Sequence, residues 1–136
     1  MVTIDDVALL DFPKIEDDRG NLSFLENNAQ IPFEIARLYF IYDVPGGAIR
    51  GGHAYRELNE VIVALSGSFD VVVDDGKNQK KISFNRSYYG LYVPKGLWRR
   101  LENFSTNALC LIVADKKYNE GDYIRDYENY KSYNNA

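Results

Sequence analysis

The sequence predicts an all-β protein, a sandwich or barrel of short strands followed by one short helix. Short apolar runs, most of them with a period of two, recur at roughly 8–12-residue spacing, as in all-β domains. Glycine, asparagine and aspartate residues separate these runs, and such residues favour turns. Aromatic residues make up 14% of the chain, and aromatic side chains are enriched in strands.

Six of these runs are predicted to be strands because each is apolar or alternating and ends at turn residues. They cover residues 35–42, 60–65, 69–73, 80–84, 88–93 and 108–114. Asp74-Asp75-Gly76 lies between the third and fourth runs and predicts a tight hairpin.

The C-terminal part of the chain has helical spacing. Tyr123, Tyr127 and Tyr130 follow one another at intervals of four and three residues, which predicts a short amphipathic helix over residues 122–133. Residues 134–136 are predicted to fray. The length of 136 residues suits one domain, so residues 1–136 are predicted to form a single domain.

Composition argues against several classes of partner. Sixteen basic and twenty acidic residues give a net charge of −4, which argues against a nucleic-acid-binding surface. No apolar run approaches the length of a membrane span, and the first residues lack the features of a signal peptide. Cys110 is the one cysteine and cannot form an internal disulfide. We therefore expect a cytoplasmic protein without nucleic-acid or membrane partners.

A single histidine, His53, restricts the chemistry further. Zinc sites rich in histidine, or built from cysteine and histidine together, cannot be assembled from this sequence. If general acid–base chemistry near neutral pH takes place, His53 is the first candidate for the base.

Two spaced motifs occupy the middle of the chain, Gly47-x5-His53-x-Tyr55-x4-Glu60-x6-Gly67 and Pro94-x-Gly96-x2-Arg99-x3-Asn103. They resemble the two motifs of the cupin superfamily. The resemblance implies a cupin-type jelly-roll β-barrel with a short C-terminal helix. In metal-binding cupins, ligands occupy the positions of His53, Tyr55, Glu60 and Arg99. Here Tyr55 and Arg99 replace two imidazoles, and arginine offers no lone pair, so we expect a barrel without a metal.

A second resemblance depends on ordered blocks at residues 18–22, 31–35, 37–39, 50–54, 90–94, 98 and 122–127. Together these blocks are similar to the nucleotide-sugar 3,4-ketoisomerases of the WxcM-like C-terminal family. The resemblance extends from about Phe12 to Tyr130. It implies a homodimeric enzyme that needs no metal or cofactor and isomerises a dTDP-4-keto-6-deoxyhexose through an enediol or enediolate. The product would serve the synthesis of an unusual deoxysugar, expected to be a 3-amino sugar.

The same resemblance supplies the catalytic candidates. His53 matches the residue that acts as the main base in the family, and its ordinary pKa suits proton transfer near pH 7. Arg19 and Tyr39, by family position, and Tyr55 are the candidate donors to the oxygens on which negative charge develops. Tyr55 stands where the family usually has a second histidine, and Arg99 stands where a histidine commonly follows the tryptophan.

A second group of candidates would bind the substrate. Arg37, Arg50 and Arg99 could contact the diphosphate, since arginine makes bidentate contacts with phosphate. Trp98 could stack on the base or pack in the core. Glu60 could bind the substrate or pair with Arg99 across the cavity.

The departures at Tyr55 and Arg99 keep two alternatives open. One is a catalytically weakened cupin that binds a nucleotide sugar or a partner protein without turnover. The other is an isomerase or epimerase for another nucleotide-linked sugar.

Overall fold

Two five-stranded antiparallel sheets pack face to face in the computed structural model, which describes residues 1–135. The strands are β1 (Ala8–Asp11), β2 (Arg37–Ile41), β3 (Arg50–Tyr55), β4 (Glu60–Ser66), β5 (Phe69–Asp74), β6 (Gln79–Phe84), β7 (Tyr89–Val93), β8 (Trp98–Glu102), β9 (Leu109–Ala114) and β10 (Tyr123–Ile124). One sheet has the order β1-β7-β4-β9-β2 and the other has the order β10-β3-β8-β5-β6. The predicted all-β class is confirmed.

The main core lies between the two sheets. Because side chains alternate across a strand, β4 directs Ile62 and Ala64 into this core and Val61 and Val63 to the opposite face. Glu60 has the same parity as Ile62, so its carboxylate also points between the sheets, at the start of β4. The inner face therefore carries a polar group next to an otherwise apolar core.

An N-terminal arm, residues 12–35, covers part of the outer face of the first sheet. Phe12 and Ile31 are buried there against Val61, Val63 and Val113. The arm turns back on itself at a bridge between residues 15 and 22. Beyond the arm the same sheet exposes an apolar face, formed by Leu38, Phe40, Tyr42 and Leu65.

The C-terminal helix, α1, runs over Tyr127–Asn134, so the predicted start at residue 122 is wrong. Tyr123 and Ile124 instead pair with Tyr55 and Ala54 along the open edge of β3, because a free strand edge satisfies their backbone groups. Asn134, predicted to fray, is buried. Its side-chain amide donates hydrogen bonds to the carbonyl oxygens of residues 2 and 75 at 3.0 and 2.8 Å. Ala136 lies outside the described residues.

The six predicted strands and the hairpin at residues 74–76 are confirmed within a residue or two at each end. The sequence interpretation missed β1, β3, β8 and β10. β3 and β8 lack an apolar alternation because their inward side chains include His53 and Arg99. In the described part of the chain, no helix is both long enough and apolar enough to span a membrane.

Candidate active site

A cluster of polar side chains fills the space between the sheets at one end of the fold. It combines residues from both sheets, and each lies on the inward-facing parity of its strand. Its members are Tyr39 on β2, His53 and Tyr55 on β3, Glu60 on β4, Arg99 on β8 and Tyr123 on β10. Five of these six residues were predicted from the sequence.

Arg99 and Glu60 form an ion pair at the base of the cluster. Their side chains are 2% and 1% exposed, and Glu60 Oε1 accepts from Arg99 Nε and Nη2 at 3.1 and 2.8 Å. Arg99 Nη1 donates to the Gly51 carbonyl oxygen at 2.9 Å, and Nη2 donates to Tyr39 Oη at 3.0 Å. Burial disfavours the charged guanidinium, but the Glu60 carboxylate together with the Tyr39 and Tyr55 phenols outweighs it and raises the pKa of Arg99. Arg99 is therefore a permanent cation held in one orientation.

Gly51 makes this arrangement possible. It lies where the register of β3 shifts against β8, and its φ of +69° falls in the left-handed region. A Cβ atom at this position would collide with Nη1 of Arg99. The glycine thus lets the β3 backbone approach the guanidinium closely.

His53 lies above the ion pair with 6% of its surface exposed. Its ring packs edge-on against the rings of Tyr55 and Tyr123, with centroid distances of 4.8 and 5.0 Å. The buried Nδ1 atom of His53 has no hydrogen-bond partner within residues 1–135.

Burial lowers the pKa of His53 to about 2, and the positive charges of Arg99, Arg125 and Arg37 lower it in the same direction. The imidazole is therefore neutral at physiological pH and its lone pair is free, but without substrate it is a weaker base than an exposed histidine.

Three phenol groups, which we call the phenol chain, extend from Arg99 to the mouth of the cluster. Tyr39 Oη lies 3.5 Å from Tyr55 Oη, which lies 3.3 Å from Tyr123 Oη. Burial raises the pKa of Tyr39, and burial followed by the nearby Glu60 carboxylate raises that of Tyr55. Tyr39 and Tyr55 therefore stay protonated near neutral pH and act as hydrogen-bond donors.

Two further arginines lie at the mouth. Arg37 Nη1 donates to Tyr123 Oη at 3.4 Å, and its guanidinium lies 4.4 Å from the centroid of the Tyr39 ring. The guanidinium of Arg125 lies 4.1 Å from the centroid of the Tyr123 ring and pairs with Glu120 at 2.7 Å. The entrance is thus locally cationic, although the whole chain carries a net charge of −4.

Three predicted site residues lie outside the cluster. Arg50 is exposed at the start of β3, opposite Leu101. Trp98 is buried on the outer face of β8, where it packs against the helix residues Tyr127 and Tyr130. Arg19 lies on the N-terminal arm with 90% of its side chain exposed and donates to both carboxylate oxygens of the neighbouring Asp17.

Two residues of the site, Tyr123 and Arg125, were not among the predicted candidates. Both belong to the block at residues 122–127 that is similar to the ketoisomerase family, and this similarity is the sequence feature that could have identified them. That block was assigned to a helix, and only the pairing of β10 with β3 brings Tyr123 beside His53.

At the four positions where metal-binding cupins place ligands, this chain has His53, Tyr55, Glu60 and Arg99. Glu60 is already committed to the guanidinium of Arg99. Within residues 1–135 the structure brings together no group of three or more histidine, cysteine, aspartate or glutamate residues that could hold a metal ion.

Comparison with known proteins agrees with this geometry. The profile of the family described as "FdtA: WxcM-like, C-terminal" matches residues 5–135. The chain belongs to this family. It is 41% identical to the TDP-4-oxo-6-deoxy-alpha-D-glucose-3,4-oxoisomerase of Aneurinibacillus thermoaerophilus over 92% of this chain and 90% of the relative.

Solved structures lead to the same family. A 3,4-ketoisomerase from Helicobacter canadensis is 44% identical, with a TM-score of 0.94 over 96% of this chain and 98% of the other. A sugar 3,4-ketoisomerase from Thermoanaerobacterium thermosaccharolyticum in complex with TDP is 33% identical, with a TM-score of 0.95 over 98% of this chain and 97% of the other. A mutant of the latter protein has been solved with TDP-4-keto-6-deoxyglucose. The predicted class of activity, a sugar 3,4-ketoisomerase, is confirmed.

Proposed function

We propose that this protein isomerises a dTDP-4-keto-6-deoxyhexose to the 3-keto sugar, with His53 as the base. The observation that carries the proposal is the buried neutral imidazole with an unpartnered Nδ1. A buried polar atom without a partner is costly, so its presence beside a cationic entrance indicates a ligand-binding function. The solved complexes of relatives with TDP and with TDP-4-keto-6-deoxyglucose support this ligand class.

His53 would carry the hydrogen between the two carbon atoms. It accepts the C3 proton, which leaves an enediolate, and then returns that proton to C4. One imidazole on one face of the sugar can perform both steps if it reaches each carbon in turn. Because His53 is neutral before the reaction, it can begin as the acceptor.

Tyr39 would donate a hydrogen bond to the sugar oxygen atoms on which negative charge develops. Its own oxygen accepts a hydrogen bond from Arg99 Nη2, so its hydroxyl hydrogen is available to the sugar. A donor held against a buried cation stabilises negative charge on the enediolate and can exchange a proton with it. Tyr55, 3.5 Å away, would be the second donor. Arg99 and Glu60 would not contact the sugar. Glu60 holds Arg99, and Arg99 holds the hydroxyl of Tyr39 in position.

The cationic entrance would bind the diphosphate. Arg37 and Arg125 flank the ring of Tyr123 at the mouth. Arg37 can contact phosphate oxygens directly, whereas Arg125, whose Nε and Nη2 donate to Glu120, would exchange that partner for the diphosphate. Their positive charge also lowers the pKa of His53. A bound diphosphate would offset that charge, which raises the basicity of His53 in the complex. This geometry favours Arg37 over Arg50 and Trp98 as a substrate-binding residue.

A homodimer would account for two otherwise unexplained features. The apolar face of Leu38, Phe40, Tyr42 and Leu65 adjoins the arm that covers the rest of the same sheet, and a second copy would bury it. Arg19, on that arm, lies apart from the cluster of its own chain. In the dimer we assign Arg19 to the mouth of the partner's site, where it would contact the substrate.

We place the reaction in the cytoplasm, because the single cysteine, Cys110, is a free buried thiol, which suits a reducing compartment. A 3-keto product suits a subsequent transfer of an amino group to C3.

The test is an NMR time course of the purified protein with dTDP-4-keto-6-deoxyglucose in D2O with a chelator. A 3-keto product is the expected result, with deuterium at C4 to the extent that the proton on His53 exchanges with solvent before it is returned, and His53→Asn should abolish product formation while dTDP affinity stays nearly unchanged. Binding of the substrate without product and without exchange at C3 would refute the proposal and favour a binding protein or another sugar.

A further inference from the structure

We propose that Tyr123 is the outer member of a reversible proton relay formed by the phenol chain. This inference rests on the proposed function, because it assigns the phenol chain a part in that reaction. Tyr123 closes the chain at the mouth, since its hydroxyl lies 3.3 Å from that of Tyr55 and accepts from Arg37 at 3.4 Å.

The number of hydrogen atoms in the chain shows why it can change direction. Three phenol groups carry three hydroxyl hydrogens, but only two contacts join them, Tyr39 to Tyr55 and Tyr55 to Tyr123. One hydroxyl hydrogen is therefore always left over. In the structure Tyr55 donates to Tyr123, so the resting chain can donate outward, with the free hydrogen on Tyr123. Either of Tyr39 and Tyr55 can donate in the other contact, and once the hydroxyls of Tyr55 and Tyr123 turn, each phenol donates inward and the free hydrogen is on Tyr39.

Arginine residues at both ends enforce this surplus. Arg99 Nη2 donates to Tyr39 and Arg37 Nη1 donates to Tyr123, and neither guanidinium can accept a hydrogen bond. Each terminal phenol can therefore donate to Tyr55 or to a ligand, and Tyr123, which is partly exposed, can also exchange its proton with solvent. Any negative charge that develops on a terminal oxygen also lies next to a fixed cation.

The step balances without an outside reagent. As His53 removes the C3 proton, Tyr39 gives its hydroxyl hydrogen to the C4 oxygen, Tyr55 gives its own to Tyr39, and Tyr123 gives its own to Tyr55. Tyr123 then recovers a proton through solvent from the C3 hydroxyl as the C3 carbonyl forms. The net change is one hydrogen from C3 to C4 and one from the C3 oxygen to the C4 oxygen.

The separations of 3.3 and 3.5 Å are long for hydroxyl pairs, as is common for catalytic hydrogen bonds before the substrate binds. Because burial raises the pKa of Tyr39 and Tyr55, these two phenols pass protons by concerted transfer. The negative charge is transient and lies on Tyr123, beside Arg37, until Tyr123 recovers its proton.

Tyr123→Phe tests the relay, because it removes the hydroxyl and keeps the ring that packs on His53 and Tyr55. Tyr118→Phe is the matched control. Tyr118 is 59% exposed at the same mouth, and its hydroxyl donates to Glu120, outside the chain. Thermal melts establish that both variants fold, and a proton inventory in H2O–D2O mixtures counts the protons in flight during turnover.

For Tyr123→Phe we expect kcat to fall about tenfold, since one hydroxyl of a hydrogen-bonded relay is lost, with KM within about twofold. The curved proton inventory of the wild type should become straight, while Tyr118→Phe should match the wild type. A raised KM with unchanged kcat, or an unchanged inventory, would overturn the relay and leave the ketoisomerase proposal intact. A wild type that forms no 3-keto product would overturn both.

Discussion

Replacing Glu60 with glutamine removes the carboxylate that neutralises Arg99 inside the fold. The guanidinium keeps its hydrogen bonds to the Gly51 carbonyl and Tyr39 Oη, but its charge has no counter-ion. With both side chains at most 2% exposed, water cannot take the place of the lost carboxylate without opening the structure.

The expected loss is large because an unpaired buried charge is strongly unfavourable. Breaking a buried ion pair by removing one partner costs about 3–5 kcal/mol of unfolding free energy. For a chain of 136 residues this corresponds to a fall in Tm of roughly 10–17 °C. Glu57→Gln is the control, because its pair with Lys95 at 3.3 Å is exposed and should change stability by less than about 1 kcal/mol.

Urea denaturation followed by tryptophan fluorescence, with thermal melts, measures both variants. A third protein, combining Glu60→Leu with Arg99→Met, removes both charges and should recover most of the lost stability. If Glu60→Gln were as stable as Glu57→Gln, the Glu60–Arg99 ion pair would not contribute the expected unfolding free energy. If the double variant were as unstable as Glu60→Gln, packing and not the unpaired charge would explain the loss.

Three other predictions concern residues of the site and of the arm. Because the folded pKa of His53 is about 2 against 6.5 when unfolded, the unfolded chain binds the extra proton as pH falls below 6.5. Wild-type stability should thus drop about 2–3 kcal/mol more than that of His53→Asn between pH 6.5 and about 4.5, and equal urea midpoints in acid would refute the shift. Tyr55→Phe should lower kcat about five- to tenfold by loss of one hydrogen bond, and a strong rise in rate for Tyr55→His would show that the tyrosine weakens the site. Arg19→Ala and His53→Asn, each inactive alone, should regain about a quarter of wild-type activity when the two variants are refolded together. Half of the random dimers are mixed, and one of the two sites in a mixed dimer then has both His53 and Arg19. No recovery of activity would place Arg19 in the site of its own chain or outside the site.

Much of the fold could be predicted from local pattern. The runs at residues 60–65 and 69–73 are buried on one or both faces, so their apolar character and the turn residues that bound them marked them as strands. β3 and β8 could not be found in this way. Their inward positions carry His53 and Arg99, whose burial depends on partners from other strands. The strands that hold the chemistry are therefore the ones with the weakest pattern.

The residues of the candidate site also divide into those that the sequence predicted and those that only the folded sheet brings together. Resemblance to the cupin motifs was enough to select His53, Tyr55, Glu60 and Arg99 as neighbours, because metal-binding cupins place the ligands of one site at these four positions. Tyr123 could not be selected from spacing, since its intervals to Tyr127 and Tyr130 fit a helix. Its place was decided by the open edge of β3, a feature that exists only once the sheet has formed.

By itself, the sequence determined the all-β class, the family and the residue types available for proton transfer, because these depend on local periodicity and on ordered motifs. Only the tertiary structure decided that Glu60 holds Arg99, that Arg99 polarises Tyr39 and that three phenols connect to the mouth. Those properties arise from burial and from contacts across the two sheets. Residues far apart in sequence set the charge, orientation and proton affinity of each group.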